Sequence, residues 1–321
     1  MRRIVLSLAA LLALAGPAGA GSSPATPVRT EIRTVHSAVV GRDFRLYIAR
    51  PAVPAPPGGY PVLYLLDGNI TFPLAMKALE RRAAEGKPME PLALVGVGYV
   101  TAGDYDPARN VDDTPAVPGQ AADDDGSPIG GADLFLQAIQ TEMKPLVDAE
   151  IPIDRSREAL FGHSYGGLFT MHVLFTHPGD FFAYVAASPS LWFGGGILAR
   201  DEVAFRMGHP ELSGLDILLM SAQYEQKLSP DQVGRPDAAE RLKRMETRRP
   251  VDHVRALAER LDAMPGIHAS FVLNERETHS SELPMAVGRA VDFVAAKLQA
   301  GPSTITCSEP REHCSTRAET P

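Results

Sequence analysis

Gly162-His163-Ser164-Tyr165-Gly166, followed by Gly167, fits the pattern G-x-S-x-G. In that pattern the serine occupies a sharp, strained turn between a strand and a helix. The flanking glycines are needed because side chains there would clash. ALF before the motif reads as a strand end, and LFTMHVLF after it as an apolar helix. The chemistry on offer is nucleophilic attack by the Ser164 hydroxyl, with a helix N-terminus behind the turn favouring developing negative charge. The bland alternative is a structural glycine turn. A serine hydroxyl also needs a base to take its proton. Where this motif operates, the chain order is serine, then Asp or Glu, then histidine. Five histidines lie beyond the motif and its helix: His209, His253, His268, His279 and His313. His279 falls in the loop after the last expected strand and before the closing helix, so it is the expected base. His268 is expected on the surface at a strand start and His253 solvated on a charged helix. His163, inside the motif, is expected to point away from the serine and pack.

The acid should follow the strand DILLMSAQYEQ. Glu225 lies just beyond the apolar run and is the expected partner of His279. Asp231 and a Ser–His pair oriented by another group remain open, while Glu275 and Glu277 read as a solvated loop. Stabilising an oxyanion takes two backbone donors. Tyr165 N–H, directly after the nucleophile, is one, and Asn69 N–H in the Asp67-Gly68-Asn69 turn is the other candidate. Asp67 itself reads as a residue that fixes the turn.

Other residues are more ambiguous. Arg109 could grip an anionic substrate group bidentately, or pair with Asp112 or Asp113 to fix its loop. Trp192, the only tryptophan, is a pocket wall or a core residue. Asp123-Asp124-Asp125 lacks the spaced acids and terminal Glu of a calcium loop and reads as solvated. Cys307 and Cys314 fall after the last expected helix, where they either close a small disulfide loop or remain free thiols. With His313 they match no common zinc spacing, and no metal or organic cofactor is expected.

These residues must be positioned by elements whose pattern is readable. Residues 32–50 alternate in hydrophobicity, as an antiparallel hairpin does. PVLYLLDGN and PLALVGVGYV are solid apolar runs, consistent with buried parallel strands. AYVAASPSLWF, DILLMSAQYEQ and HASFVLNERETH supply further strands. Helices are expected at 71–85, 132–150, 237–263 and over LPMAVGRAVDFVAAKLQA, with a long loop at 101–131. Strand alternating with helix implies one α/β structure with a mostly parallel central sheet and helices on both faces.

Composition agrees. The 321 residues are 45% hydrophobic and 22% charged, which excludes global disorder, collagen and coiled coil. Gly and Pro number 28 each, about 17% of the chain, and imply long loops. Residues 1–20 carry Arg2 and Arg3, an apolar run too short to span a bilayer comfortably, and Ala18-x-Ala20 before a cleavage point. This predicts a cleaved secretory signal, a periplasmic or secreted protein, and no stable membrane insertion afterwards. Cleavage would leave 29 basic against 39 acidic residues, a net charge of −10 in place of −8. Such a balance argues against a nucleic-acid partner. The expected division is a signal at 1–20, a linker at 21–30, a catalytic domain at 31–300 and a tail at 301–321.

The set VLYLLDGN, RNVDDTP, GGADLFLQAIQTEMKPLV, FGHSYGGLF, ASPSLWF, YEQ and ETHSSELP resembles the Putative esterase family of α/β hydrolases, which includes esterase D-like enzymes. Within it the chain is most similar to periplasmic siderophore trilactone esterases of the enterobactin type. The resemblance covers about residues 35–298. It implies an α/β-hydrolase fold, with Ser164 as nucleophile, His279 as base, Asn69 and Tyr165 N–H as oxyanion donors, and Trp192 and the Arg109 loop near the site. The chain departs from the branch at Ala222-Gln223, where Gly-Glu is common, so both Glu225 and a Ser–His pair stay open. The implied activity is hydrolysis of a small-molecule carboxylic ester or lactone through an acyl-enzyme. Transfer of the acyl group to an alcohol, or simpler carboxylesterase activity, is the alternative on the same machinery.

Overall fold

The computed structural model describes residues 28–87, 90–123, 125–208 and 214–300. The expected signal, His209, His313 and the Cys307–Cys314 pair lie outside them. β1 (Val28–Ser37) and β2 (Arg42–Pro51) form the expected antiparallel hairpin, with β1 starting inside the stretch expected as linker. β3 (Tyr60–Leu65), β4 (Ala93–Tyr99), β5 (Ile153–His163), β6 (Ala183–Ala187), β7 (Leu215–Ala222) and β8 (Ile267–Asn274) run parallel to one another. β2 joins them antiparallel to β4, and the order across the sheet is β1-β2-β4-β3-β5-β6-β7-β8. The helices are α1 (Gly68–Ala84), α2 (Arg109–Asp112), α3 (Ala132–Ala138), α4 (Lys144–Glu150), α5 (Tyr165–Thr176), α6 (Leu198–Gly208), α7 (Ala238–Arg248), α8 (Pro250–Asp262) and α9 (Leu283–Gln299).

Every residue of β3, β4, β6 and β7 is buried. That explains their unbroken apolar runs, because a strand covered on both faces has no polar side to show. Successive side chains alternate between two cores. Leu63, Leu65, Phe161 and Val185 meet Phe72 and Leu79 of α1 and Val287 and Val291 of α9. Tyr64, Leu160 and Phe44 face the other core, with Phe135 of α3, Phe169 of α5 and Leu257 of α8. α1 sits close because Gly68 packs on Gly96: a Cβ on Gly68 would lie 2.6 Å from the Gly96 carbonyl carbon.

The structure corrects several boundaries. The helix expected at 71–85 starts at Gly68, directly after Asp67 in the left-handed region (φ 51°). The 132–150 helix is interrupted by a wider π turn over Ile139–Met143. Pro145 offers no N–H to the carbonyl four residues earlier and crowds it, which favours such a turn. The 237–263 helix is two helices, broken at Arg249 (φ 40°). Pro250 follows, and a residue before proline is pushed out of the helical region. The 101–131 loop contains the short α2, and α6 occupies a stretch without any expected element.

Candidate active site

Ser164 joins β5 to α5 with φ 60° and ψ −116°, a costly backbone conformation for a residue with a Cβ. Its N–H donates to Ala187 O at 3.0 Å, and its carbonyl accepts from Leu168 N–H at 2.9 Å and Ser190 N–H at 3.2 Å. The turn is therefore clamped by α5 and by the end of β6. A Cβ on Gly162 would lie 2.0 Å from the Gly166 carbonyl oxygen, so that glycine is a steric requirement.

His279 reaches the turn from the loop between β8 and α9. Its Nε2 lies 2.9 Å from Ser164 Oγ, and its Nδ1 lies 2.6 Å from Glu225 Oε1. Glu225 ends the short turn Gln223–Glu225 directly after β7. Its second oxygen accepts from Ser188 Oγ at 2.5 Å and from Ala222 N–H at 3.1 Å. Burial pushes this carboxyl up, but His279, Ser188 and Ala222 N–H outweigh burial and hold it below the usual carboxylate range. Burial likewise pulls His279 down, and Glu225, with a smaller contribution from Glu282, outweighs it and holds the imidazole above its ordinary value. The His279 side chain is 42% exposed and that of Glu225 11%, so the ring is accessible while the acid is covered. Asp231 is engaged elsewhere, with Ser229 Oγ at 2.6 Å and Arg235 at 3.0 Å. Glu275 is exposed, and Glu277 links loops through its carbonyl, which accepts Tyr224 N–H at 2.9 Å.

Tyr165 and Asn69 open α5 and α1, where no preceding helical carbonyl faces their N–H groups. The Asn69 side chain fastens α1 to β4, with Nδ2 donating to Tyr99 O at 3.1 Å and Oδ1 accepting Tyr99 N–H at 2.8 Å. The two turns adjoin, since a Cβ on Gly166 would lie 3.5 Å from Asp67 Oδ2. The Tyr165 hydroxyl donates to Asp123 Oδ2 at 2.5 Å, and burial followed by Asp123 raises the phenol, keeping it a donor. Asp123 thus ties its loop to Tyr165, a contact beyond the solvated role expected for the acidic run.

Arg109 takes the structural side of its two readings. Its Nε and Nη2 grip Asp67 at 2.7 Å each, and Nη2 lies 3.4 Å from Asp113. Asp112 instead faces Arg42 at 3.3 Å and the Tyr99 hydroxyl at 3.2 Å. Burial works against the Arg109 charge, but Asp67 and Asp113 hold it well above the ordinary range. Trp192 is half-buried, its ring 6.5 Å from Tyr165, with the Arg248 guanidinium 3.7 Å above its face. It belongs to the rim of the site and not to the core. His163 is not in apolar packing: its Nε2 lies 2.9 Å from the His279 carbonyl and 3.5 Å from Glu282. Ser188, Asn274 and Glu282 were invisible as site residues in the sequence because each contributes through another residue. Among the described residues no cluster of His, Cys, Asp and Glu is arranged to hold a metal, and no helix is long and apolar enough to cross a membrane.

The family model described as "Putative esterase" matches residues 37–271. The ferri-bacillibactin esterase BesA of Bacillus subtilis is 33% identical over 285 residues, covering 86% of this chain and 92% of that protein. The siderophore triacetylfusarinine C esterase of Aspergillus fumigatus is 40% identical over 150 residues, 46% of this chain and 50% of its own. In three dimensions the siderophore hydrolase EstB of Aspergillus nidulans superposes with a TM-score of 0.73 at 26% identity, over 91% of this chain and 98% of its own. Sheet order, family match and these relatives agree, and the chain belongs to the Putative esterase family of α/β hydrolases, enzymes that cleave ester bonds.

Proposed function

We propose that this protein is an exported serine esterase acting on siderophore esters or lactones, with Ser164, His279 and Glu225 as its catalytic triad. One observation carries the reading: the unbroken hydrogen-bond chain from Ser164 Oγ through both ring nitrogens of His279 to Glu225. His279 Nε2 takes the Ser164 proton as Oγ attacks the substrate carbonyl carbon. The carbonyl oxygen becomes an oxyanion facing the N–H groups of Asn69 and Tyr165. Collapse of the tetrahedral intermediate breaks the ester C–O bond, and the leaving alkoxide receives the proton from Nε2. Water then attacks the acyl-enzyme, giving its proton to His279, and Ser164 leaves protonated as the acid departs. Glu225 holds Nδ1 protonated throughout, which keeps Nε2 free to accept.

The substrate class rests on the relatives, whose names record ferri-bacillibactin, triacetylfusarinine C, enterobactin and salmochelin esterases. The rim supports an anionic aromatic substrate. Arg248 lies over Trp192 and has no carboxylate partner among the described residues, whereas the Arg109 grip is already committed to Asp67. Export rests on Arg2, Arg3, the apolar run and Ala18-x-Ala20.

The mature protein and Ser164→Ala are compared on a ferric trilactone, a feruloyl ester, S-formylglutathione and p-nitrophenyl acetate. The expectation is turnover of the trilactone and covalent labelling by a fluorophosphonate, both abolished in the variant. Equal labelling of both proteins refutes the serine mechanism. Failure on the trilactone with good turnover elsewhere refutes the substrate class. Mass spectrometry of the periplasmic protein should show a new N-terminus near residue 21, and an intact Met1 refutes cleavage.

A further inference from the structure

Beside His279 lies a second histidine–carboxylate pair, His163 and Glu282. Glu282, at the N-terminus of α9, is fully buried, and the His163 side chain is only 5% exposed. His163 Nε2 lies 2.9 Å from the His279 carbonyl oxygen and 3.5 Å from Glu282 Oε1. A carbonyl can only accept, so His163 Nε2 carries a hydrogen and donates it. Glu282 Oε2 accepts from Asn274 Nδ2 at 2.8 Å, while Oε1 has no hydrogen-bond partner. The two imidazole rings lie 4.7 Å apart, centre to centre. These groups come from three elements: the end of β5, the end of β8 and the start of α9. All converge on the loop that carries His279. A buried carboxylate with one direct donor is expensive to keep for packing alone.

We propose that His163 and Glu282 are positioning residues for His279: His163 fixes its backbone through the carbonyl, and Glu282, 3.5 Å from His163 Nε2 and held by Asn274, places a second buried carboxylate beside that loop. The proposal rests on the assignment of His279 as the base. The loop between Asn274 and Glu282 is tied to the turn after β7 by Glu225 at His279 Nδ1 and by Tyr224 N–H at the Glu277 carbonyl, and His163 adds a tie from β5; a displacement of about 1 Å from the 2.9 Å gap to Ser164 can cost two orders of magnitude in rate. Glu282 acts through charge. His279 is faced by Glu225 from the turn after β7, Glu282 from α9, His163 from β5 and Arg109 from α2. The two carboxylates favour the imidazolium that forms when Ser164 gives up its proton, and Arg109 opposes it.

The test measures pH profiles of kcat and kcat/KM on p-nitrophenyl acetate for wild type, His163→Leu, His163→Gln, Glu282→Gln and His279→Ala. Leu removes the donor at similar volume, while Gln retains an N–H for the carbonyl. His163→Leu should lower kcat ten- to a hundredfold with KM within twofold, and Gln should restore at least part of it. Glu282→Gln should move the acid limb of kcat/KM to lower pH, because His279 then loses its proton more readily. Thermal unfolding identifies any variant that does not fold, and the conservative Gln variants carry the test in that event. A kcat in His163→Leu within twofold of wild type, an equal loss in both His163 variants, or an unmoved acid limb in Glu282→Gln overturns the proposal. Inactive His279→Ala alongside those results confines the failure to this proposal, whereas a fully active His279→Ala overturns the underlying assignment.

Discussion

Glu225→Gln separates a triad from a Ser–His pair because the surroundings of Glu225 dictate which way the new amide points. In the wild type both carboxylate oxygens accept: Oε1 from His279 Nδ1 at 2.6 Å, Oε2 from Ser188 Oγ and Ala222 N–H. Glutamine has one acceptor and one donor in their place. The Ala222 N–H can only donate, and its alternative acceptor, Ser188 Oγ, is 3.3 Å away. Ser188 can turn its hydroxyl either way, so the amide oxygen settles toward Ala222. The amide NH2 then faces His279 Nδ1, which must become an acceptor. The ring proton moves to Nε2 and points at Ser164 Oγ, the wrong tautomer for a base. The opposite flip keeps the tautomer but sets NH2 against a buried N–H, at about 1–3 kcal/mol.

A wrong tautomer with intact geometry costs about 10⁴ in kcat in the serine protease precedent. We expect a loss of three to four decades in kcat/KM here, about 4–5.5 kcal/mol of transition-state stabilisation. Glu225→Ala, which leaves His279 free to choose its tautomer, should lose less, about two to three decades. Steady-state hydrolysis of p-nitrophenyl acetate measures both, with fluorophosphonate titration counting competent sites. A Glu225→Gln enzyme within tenfold of wild type refutes the tautomer argument and leaves a Ser–His pair as the working unit.

The acid limb of wild-type kcat/KM should fall above the ordinary histidine value of about 6.5, because Glu225 and Glu282 outweigh burial at His279; a midpoint below 6 in a pH–rate profile contradicts this. Arg109→Leu strands Asp67 and Asp113, whose side chains are 3% and 2% exposed. It should destabilise by about 3–5 kcal/mol, and a melting temperature unchanged within 2 °C in calorimetry refutes the pairing argument. Burial raises Asp112 to about 6 from an ordinary 3.8. The folded protein therefore holds this proton more tightly than the unfolded chain. The associated stability is present below pH 4 and is lost as pH rises through 6, to a limit of about 3 kcal/mol. Denaturant unfolding should show that decline in wild type and a shallower one in Asp112→Asn, and equal slopes refute it.

The strands that build the site were legible because burial on both faces leaves an unmistakable apolar signature in β3, β4, β6 and β7. Ser164 and His279 were legible because a glycine-flanked serine turn and a loop histidine before the closing helix have positions that follow from strand–turn–helix order. Glu225 was harder to read: a carboxylate just past a strand has no local signature, and its role depends on Ser188, 37 residues away. Arg109 left two readings because an arginine suited to grip a ligand carboxylate is equally suited to grip Asp67. The partner that decided between them is 42 residues away in sequence. The helix breaks at Pro250 and before Pro145 were written in the sequence as prolines, but helical periodicity in the flanking residues masked them. His163 reads as packing in the sequence because the donor role of a buried histidine depends on a carbonyl 116 residues downstream.

Three of the non-glycine residues with positive φ, Asp67 (51°), Ser164 (60°) and Ser188 (41°), sit directly after or close to the C-terminal ends of β3, β5 and β6, which are neighbours in the sheet. Each such conformation costs on the order of 1–3 kcal/mol, and it persists only where its surroundings over-determine it. Arg109 and the N–H groups of Ile70 and Thr71 hold Asp67; Ala187 O and Leu168 N–H hold Ser164; Met220 O and Glu225 hold Ser188. The turns put different groups at the same edge: the N-terminus of α1, a hydroxyl aimed at His279, and a hydroxyl aimed at Glu225. A relaxed strand ending would carry the chain onward and leave those groups apart. Glycine at any of the three would relieve the backbone, yet it would delete the carboxylate that holds Arg109, the hydroxyl that meets His279, or the hydroxyl that donates to Glu225. Backbone strain and side-chain contacts thus belong to the same three positions, and a glycine there would give up the second to relieve the first.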